Sequence, residues 1–404
     1  MSPLAIIFVT VFIDLLGFGI IIPLLPFYAE SFGASAFTIG LLGTVFSLMQ
    51  FIVAPLCGRW SDRIGRRPII VGGLLVSCLA YVALALADSL ALIFVARIIG
   101  GIAGGNVPAA QAYIADVTTP ETRSKWMGMI GAAFGLGFTF GPMIGGIMSR
   151  ISYSAPFYFA AALTVANVVL LYFILPESLP KEHRAKPHED APVVEVFRHG
   201  NGWLFGLVVA TYFFLIVGFT IMTAFFALFT FRRFGYDAHA NGYLFGFIGI
   251  ITVIVQGGLI GRLVAIFGET TLARAGLLIT AASLALLPFC HNLTWLLVAC
   301  VGLSLGSGFS SPPLNGLASQ LVDRSWQGRA LGVVQSAGST ARLIGPLLGG
   351  WLLMLDLHKP TTRYGETAFF AAALLCLIGA ALAFCIRKPA DDRSPASIPI
   401  GSSV

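Results

Sequence analysis

The chain has 404 residues, 57% of them hydrophobic and 10% charged, with a formal net charge of +6. So apolar a composition excludes an ordinary soluble domain and points to an integral membrane protein. The basic residues sit in short stretches between apolar runs, which argues against nucleic acid as the partner of the positive charge.

Apolar runs of spanning length are predicted at 4–28, 37–57, 69–87, 90–113, 127–148, 155–175, 203–229, 239–260, 272–289, 293–318, 328–354 and 365–386. The first run lacks a small-residue cleavage pattern and reads as a retained span. Cys57, Cys78, Cys290, Cys300, Cys376 and Cys385 lie in or beside these runs, in none of the spacings of a disulfide or metal framework. No metal, cofactor or catalytic residue is expected, and no Gly-x-x-x-x-Gly-Lys-Ser/Thr loop for ATP is present.

Between the second and third runs lies Gly58-Arg59-Trp60-Ser61-Asp62-Arg63-Ile64-Gly65-Arg66-Arg67-Pro68, a basic loop whose glycines allow a tight turn. Loops on its side of the membrane, with the C-terminal tail, carry 17 of the 24 Lys and Arg residues; the opposite side carries 5, and Arg97 and Arg342 fall inside spans. Basic residues are retained on the cytoplasmic side, so the basic loop and both termini are placed there.

The polar stretch Pro176–Asn201 divides the spans into two groups of six and reads as a linker. The expected organisation is a bundle over 1–175, a linker over 176–201, a second bundle over 202–388 and a disordered cytoplasmic tail over 389–404. The halves echo each other. Gly58-Arg59 and Gly65 return as Gly261-Arg262 and Gly268, 203 positions on, and Gly141-Pro142 with Gly145-Gly146 returns as Gly345-Pro346 with Gly349-Gly350, 204 positions on. Pro108 has a counterpart in Pro312, whereas Asp62 falls opposite Ala265. Repetition over half the chain predicts an all-α membrane protein of two pseudo-symmetric six-helix bundles, with a site near the bilayer midplane.

Asp14 is the one carboxylate placed mid-span. A charge there costs roughly 2.5–3.5 kcal/mol, so it must face a cavity, find a partner or take up a proton. That makes Asp14 the candidate proton carrier. Arg97, about seven residues from the outer end of the fourth span, is the candidate that tunes it: a nearby guanidinium favours the charged carboxylate, and separation favours the protonated one. Gln50, Asn106, Gln111, Gln256 and Gln335 are candidate cavity hydrogen-bond partners, although such residues also hold helices together. Arg342 reads as an attractor for an anionic or zwitterionic substrate, a charge partner for Asp14, or a cation held by polar neighbours. Phe213, Phe214, Phe225 and Phe226 could supply an aromatic wall. Asp116, after the fourth span, is a natural ion-pair partner for an arginine of the basic loop, a pair expected to close the inner face.

The spacing of Gly58, Ser61-Asp62-Arg63 and Gly65-Arg66-Arg67 resembles the signature loop between helices 2 and 3 of the major facilitator superfamily. In that family the loop is thought to clamp the cytoplasmic helix ends, which implies a gate formed by Gly58, Asp62, Arg63, Gly65, Arg66 and Arg67 with Asp116. Asp14-Leu-Leu-Gly17-Phe-Gly19 running to Pro23-Leu-Leu-Pro26 resembles the first span of drug/H+ antiporters, the tetracycline-efflux branch above all. Arg97-Ile-Ile-Gly100-Gly101 is similar to the fourth-span motif whose arginine is implicated in proton coupling. Gly137, Gly141, Pro142, Gly145 and Gly146 match the antiporter signature of the fifth span, thought to limit leak. The polar residues of tetracycline exporters in spans three, nine and eight fall at Ala80, Thr280 and near Thr252 here, so tetracycline itself is not the expected substrate.

The resulting expectation is a monomeric alternating-access transporter of the bacterial cytoplasmic membrane, exporting small amphipathic organic molecules against protons, with the proton gradient as its energy source. An importer or facilitator of small organic anions and a non-transporting receptor on the same fold are the alternatives.

Overall fold

A computed structural model describes residues 2–179, 196–197, 201–322 and 326–386. Most of the 176–201 linker and all of the 389–404 tail lie outside the described residues. Within them the chain forms helices α1 (Pro3–Ser31), α2 (Ala36–Ile64), α3 (Arg66–Ala85), α4 (Leu90–Ile102), α5 (Asn106–Val117), α6 (Pro120–Met148), α7 (Ala155–Ile174), α8 (Gly202–Phe234), α9 (Ala238–Ile254), α10 (Ile260–Phe267), α11 (Glu269–Leu286), α12 (Leu293–Gln320), α13 (Gln327–Leu355) and α14 (Glu366–Cys385).

Two pairs of these helices share a span, so the fourteen make the twelve expected crossings. Leu90–Val117 is interrupted by a 3₁₀ turn at Ala103–Gly105. Pro108 explains it in part, because it has no N–H to offer the Gly104 carbonyl. Ala238–Phe267 is interrupted by a π segment at Val255–Leu259, where Gly257 and Gly258 loosen the turn. Eleven spans are long and apolar enough to cross a membrane by composition alone. The twelfth, α13, carries Arg342 and six glycines, which lower its hydropathy; position and packing place it among the others.

Inside the first half α1 packs along α6 and α3 along α7; inside the second, α8 packs on α13 and α14 and α11 on α12. Two seams join the halves, α6 with α9 and α2 with α13. They correspond under the sequence repeat, each pairing a fifth-span-type helix of one half with a second-span-type helix of the other.

Both seams are tight toward the face opposite the basic loop. Gly146 lies so close to Gly242 that a methyl group on it would come within 2.8 Å of the Gly242 Cα, and one on Gly350 would come within 2.8 Å of the Ala36 carbonyl oxygen. Thr44 Oγ1 donates to the Leu343 carbonyl at 3.0 Å, and His239 Nδ1 lies 3.0 Å from the Gly146 carbonyl oxygen. Arg232 of α8 pairs with Glu30 of α1 across the halves, and the Phe27 and Phe231 rings meet edge to face at 5.4 Å.

Toward the basic loop the same four helices part. Gly128 and Gly131 on α6, Gly257, Gly258 and Gly261 in the eighth span, and Gly328 and Gly332 on α13 have no neighbour that an added methyl group would meet. No residue of α10 is buried. The halves therefore enclose a wedge that is shut at the far face and open at the basic-loop face.

Candidate functional site

Asp14 lies near the middle of α1, half-buried and turned into its own bundle. Ser77 Oγ of α3 donates to its Oδ1 at 3.3 Å, and Asn106 Nδ2 donates to Oδ1 and Oδ2 at 3.4 and 3.5 Å. Asn106 is the first residue of α5, immediately after the 3₁₀ turn, so the break in the fourth span is what sets this amide beside the carboxylate. The Asn106 Oδ1 is buried and has no hydrogen-bond partner among the described residues.

Arg97 is buried, 5% exposed, but not on Asp14. Its Nε donates to the Leu42 carbonyl at 3.4 Å, and its guanidinium lies 4.2 Å from the centroid of the Phe46 ring. The sequence reading allows the two to stand close or apart, and here they hold separate seats in one bundle. Tyr81 of α3, which that reading missed, stands within electrostatic reach of both. Its ring and hydroxyl pack on Gly17, one turn from Asp14, where a larger residue would collide with them.

The expected aromatic wall is also elsewhere. Phe225 and Phe226 are fully buried, Phe225 wedged against Gly349 and Gly350 and Phe226 against Phe245. Phe214 packs toward Gly379 of α14 and meets Phe213 edge to face at 5.5 Å. A different set of rings crosses the wedge side of the first half. Phe46 of α2 meets Phe18 of α1 at 5.3 Å, Phe18 meets Phe138 of α6 at 5.7 Å, and Phe138 stacks on Phe134 at 6.3 Å. Because α2 and α6 are the helices that face the second half, with α1 between them, this chain of rings lines the wedge.

The glutamines are dispersed. Gln50 packs on Gly104 inside the first half, while Gln111, Gln256 and Gln335 are exposed, Gln256 on the π segment. Arg342 of α13 is half-buried and donates to Ser339 Oγ at 2.9 Å.

At the basic-loop face Arg66 ties three elements together. Its Nε donates to Asp116 Oδ2 at 3.0 Å, and its Nη1 reaches Asp62 Oδ1 at 2.5 Å and Ser61 Oγ at 2.7 Å. Ser178 Oγ donates to the same Asp116 oxygen at 3.0 Å. Glu177 accepts from the backbone N–H groups of Arg66 and Arg67 at 2.9 and 3.3 Å, an anion at the positive end of α3. The Arg66–Asp116 pair expected from the sequence is present, but none of the partners named here belongs to the second half. The pair is formed while the wedge stands open, so it does not by itself shut the inner face. Arg63 is exposed, and a methyl group added to Gly58 would meet nothing. Glu177 and Ser178 went unread because their sequence distance from the loop gave no signal.

The fifth-span motif forms a seam. Gly137 abuts Leu15 and Leu16 of α1, Gly141 abuts Gly19, Gly145 abuts Ile20, and the Pro142 carbonyl oxygen meets Gly242 of the other half. Small residues at this spacing let two backbones approach and exclude a path between them.

The family model described as "Major Facilitator Superfamily" matches residues 7–346 and, in a second match, 257–402. The chain belongs to the major facilitator superfamily. It is 30% identical over 390 residues to multidrug resistance protein 2 of Bacillus subtilis, covering 95% of each chain. It is 34% identical over 355 residues to the class E tetracycline resistance protein of Escherichia coli, covering 85% of this chain and 86% of that one. The crystal structure of the human organic anion transporter MFSD10 (TETRAN) superposes with a TM-score of 0.70 at 27% identity, covering 94% of this chain and 98% of that one. Family and fold are those of transporters, and the protein is integral to a membrane.

Proposed function

We propose that this major facilitator protein exports small amphipathic organic molecules in exchange for protons, as a monomer in a bacterial cytoplasmic membrane with both termini in the cytoplasm. The observation that carries the reading is the setting of Asp14. It is a mid-membrane carboxylate with two neutral donors and no cationic partner among the described residues, beside a wedge open to the basic-loop face. Neutral donors support the carboxylate without neutralising it, so uptake of a proton relieves a charge that nothing else there balances.

The wedge supports alternating access. Both seams are closed at the far face and parted at the basic-loop face, and the repeat gives each half an equivalent set of surfaces, so a rocking of the halves exchanges which face is open. Proton binding need only change the relative energy of the two arrangements by about 1–3 kcal/mol to shift their populations substantially. One charge falling through about 150 mV supplies roughly 3.5 kcal/mol, enough for a gradient of about 300-fold. The resemblance to multidrug and tetracycline resistance proteins supports the outward direction.

Substrate-triggered proton movement in proteoliposomes tests this reading. Wild-type protein is expected to release or take up protons when an amphipathic substrate is added, and Asp14→Asn is expected to bind the substrate without moving protons. Proton movement that survives Asp14→Asn removes Asp14 from the mechanism.

A further inference from the structure

Arg342 occupies a stripe of α13 that can be followed residue by residue. Gly328 and Gly332 meet nothing, Gln335 is exposed, Ser339 and Arg342 follow at helical spacing, and Pro346 closes the stripe against Gly40 and Gly43 of α2. The stripe therefore faces the first half. Arg342 stands one turn, about 6 Å, from the closing contact, at the narrow end of the open wedge.

Its charge is not balanced. Ser339 Oγ is its hydrogen-bond partner and Tyr212 its aromatic neighbour across Gly338, and none of the ion pairs among the described residues includes it. Asp14 does not serve, since it accepts from Ser77 and Asn106 within its own bundle. The other mid-span cation, Arg97, is covered by the Phe46 ring and the Leu42 carbonyl. A cation at this depth is costly without a counter-charge, and a guanidinium presents a planar fork of donors that matches a carboxylate or sulfonate. On the first-half side of the wedge, across helices α2, α1 and α6, runs the chain of rings Phe46, Phe18, Phe138 and Phe134.

We propose that the wedge binds amphipathic organic monoanions, the acid group on the Arg342 guanidinium and the apolar body on the Phe18–Phe46–Phe138 surface. This rests on the transport reading above and names the charge class of its substrate. It also fixes the electrical character of the cycle. A monoanion leaving the cell while one proton enters moves two charges inward, whereas a cation exchanged for one proton moves none. The membrane potential then acts twice, and the attainable gradient from it rises to roughly the square of the single-charge value, on the order of 10⁵.

The test uses full-length protein in detergent with three matched probes: 2-naphthylacetate, its uncharged amide, and 2-naphthylmethyl-trimethylammonium. Wild type is expected to bind the anion at least about tenfold more tightly than the amide. Arg342→Gln is expected to erase that ratio while amide binding remains measurable, and Arg342→Lys to retain much of it. Amide binding shows that each variant is folded. Tightest binding of the ammonium probe, an anion-to-amide ratio unchanged in Arg342→Gln, or failure of wild type to bind any of the three would overturn the proposal. The same probes in voltage-clamped proteoliposomes separate this from the transport reading: anion binding that depends on Arg342 without proton movement sinks proton exchange and leaves the anion site standing. Proton movement driven by the ammonium and not by the anion does the reverse.

Discussion

Arg66 and Glu269 hold equivalent places in the two halves and carry opposite charge. Each is the first residue of a helix, α3 or α11, and each follows a glycine at positive φ, Gly65 at 118° and Gly268 at 78°, with ψ 157° in both. Glycine is suited to that turn because a Cβ there would strain the backbone. The surroundings differ: Arg66 pairs with Asp116, whereas the Glu269 carboxylate packs against Gly316 near Gln320, the counterpart of Asp116 204 positions on, and its buried Oε2 has no hydrogen-bond partner among the described residues. The first half thus keeps an ionic clasp, and among the described residues the second half has no ion pair at the equivalent place.

That asymmetry predicts unequal consequences. Arg66→Lys loses the fork that reaches Asp62, Ser61 and Asp116 together. It is expected to lower stability in detergent by about 1–3 kcal/mol and to slow transport, whereas Glu269→Gln keeps the shape of the side chain and breaks no ion pair, and is expected to leave transport nearly unchanged. Thermal unfolding and initial transport rates of the two variants check this; equal losses would contradict an asymmetric clasp.

The closed seams predict a steric switch. An added methyl group on Gly40 would collide with the Pro346 carbonyl, whereas Gly131 has open space. Gly40→Ala is expected to part the far face and shift the protein toward the arrangement open there, and Gly131→Ala to do little. The reactivity of a cysteine placed at Ser339 with an impermeant reagent from each side reads the shift. An unchanged labelling ratio in Gly40→Ala would show that this seam is not what holds the far face shut.

The cross-half pair Glu30–Arg232 is partly exposed, at 26% and 43% of the side-chain surface, so its contribution is modest. Glu30→Gln is expected to change the two-state population by a few-fold, corresponding to about 1 kcal/mol. The double exchange Glu30→Arg with Arg232→Glu is expected to restore it. Labelling that differs between wild type and the double exchange as much as between wild type and Glu30→Gln speaks against a latch.

Asn106 predicts a separation of binding from coupling. It holds both oxygens of Asp14 while beginning the short helix α5, whose far end carries Asp116. Asn106→Leu is expected to keep substrate binding and to lower the number of protons moved per substrate. A ratio equal to wild type would leave Asn106 a packing residue.

The spans, the basic loop, the half-chain repeat and the isolation of Asp14 were legible in the sequence because charge, glycine and proline punctuate an apolar chain. Facing was not. Lipid and protein interior are equally apolar, so Phe225, buried against Gly349, and Phe134, exposed on the wedge, carry the same sequence signal. The ring chain from Phe46 to Phe134 joins three helices, and the Arg97–Phe46 contact joins two; nothing in residue spacing reports either. Arg342 was conspicuous as a mid-span cation, but its place one turn inside Pro346 emerges only from the packing of α13 on α2.

The central claim is that the halves rock about these seams under the control of Asp14. Spin labels introduced as non-canonical residues at Gly131 of α6 and Gly258 of the eighth span, both without close neighbours, would report the inner gap by pulsed dipolar spectroscopy. We predict two distance populations whose ratio changes with pH in wild type and becomes pH-independent in Asp14→Asn. One distance, the same at every pH and in both proteins, would contradict the account.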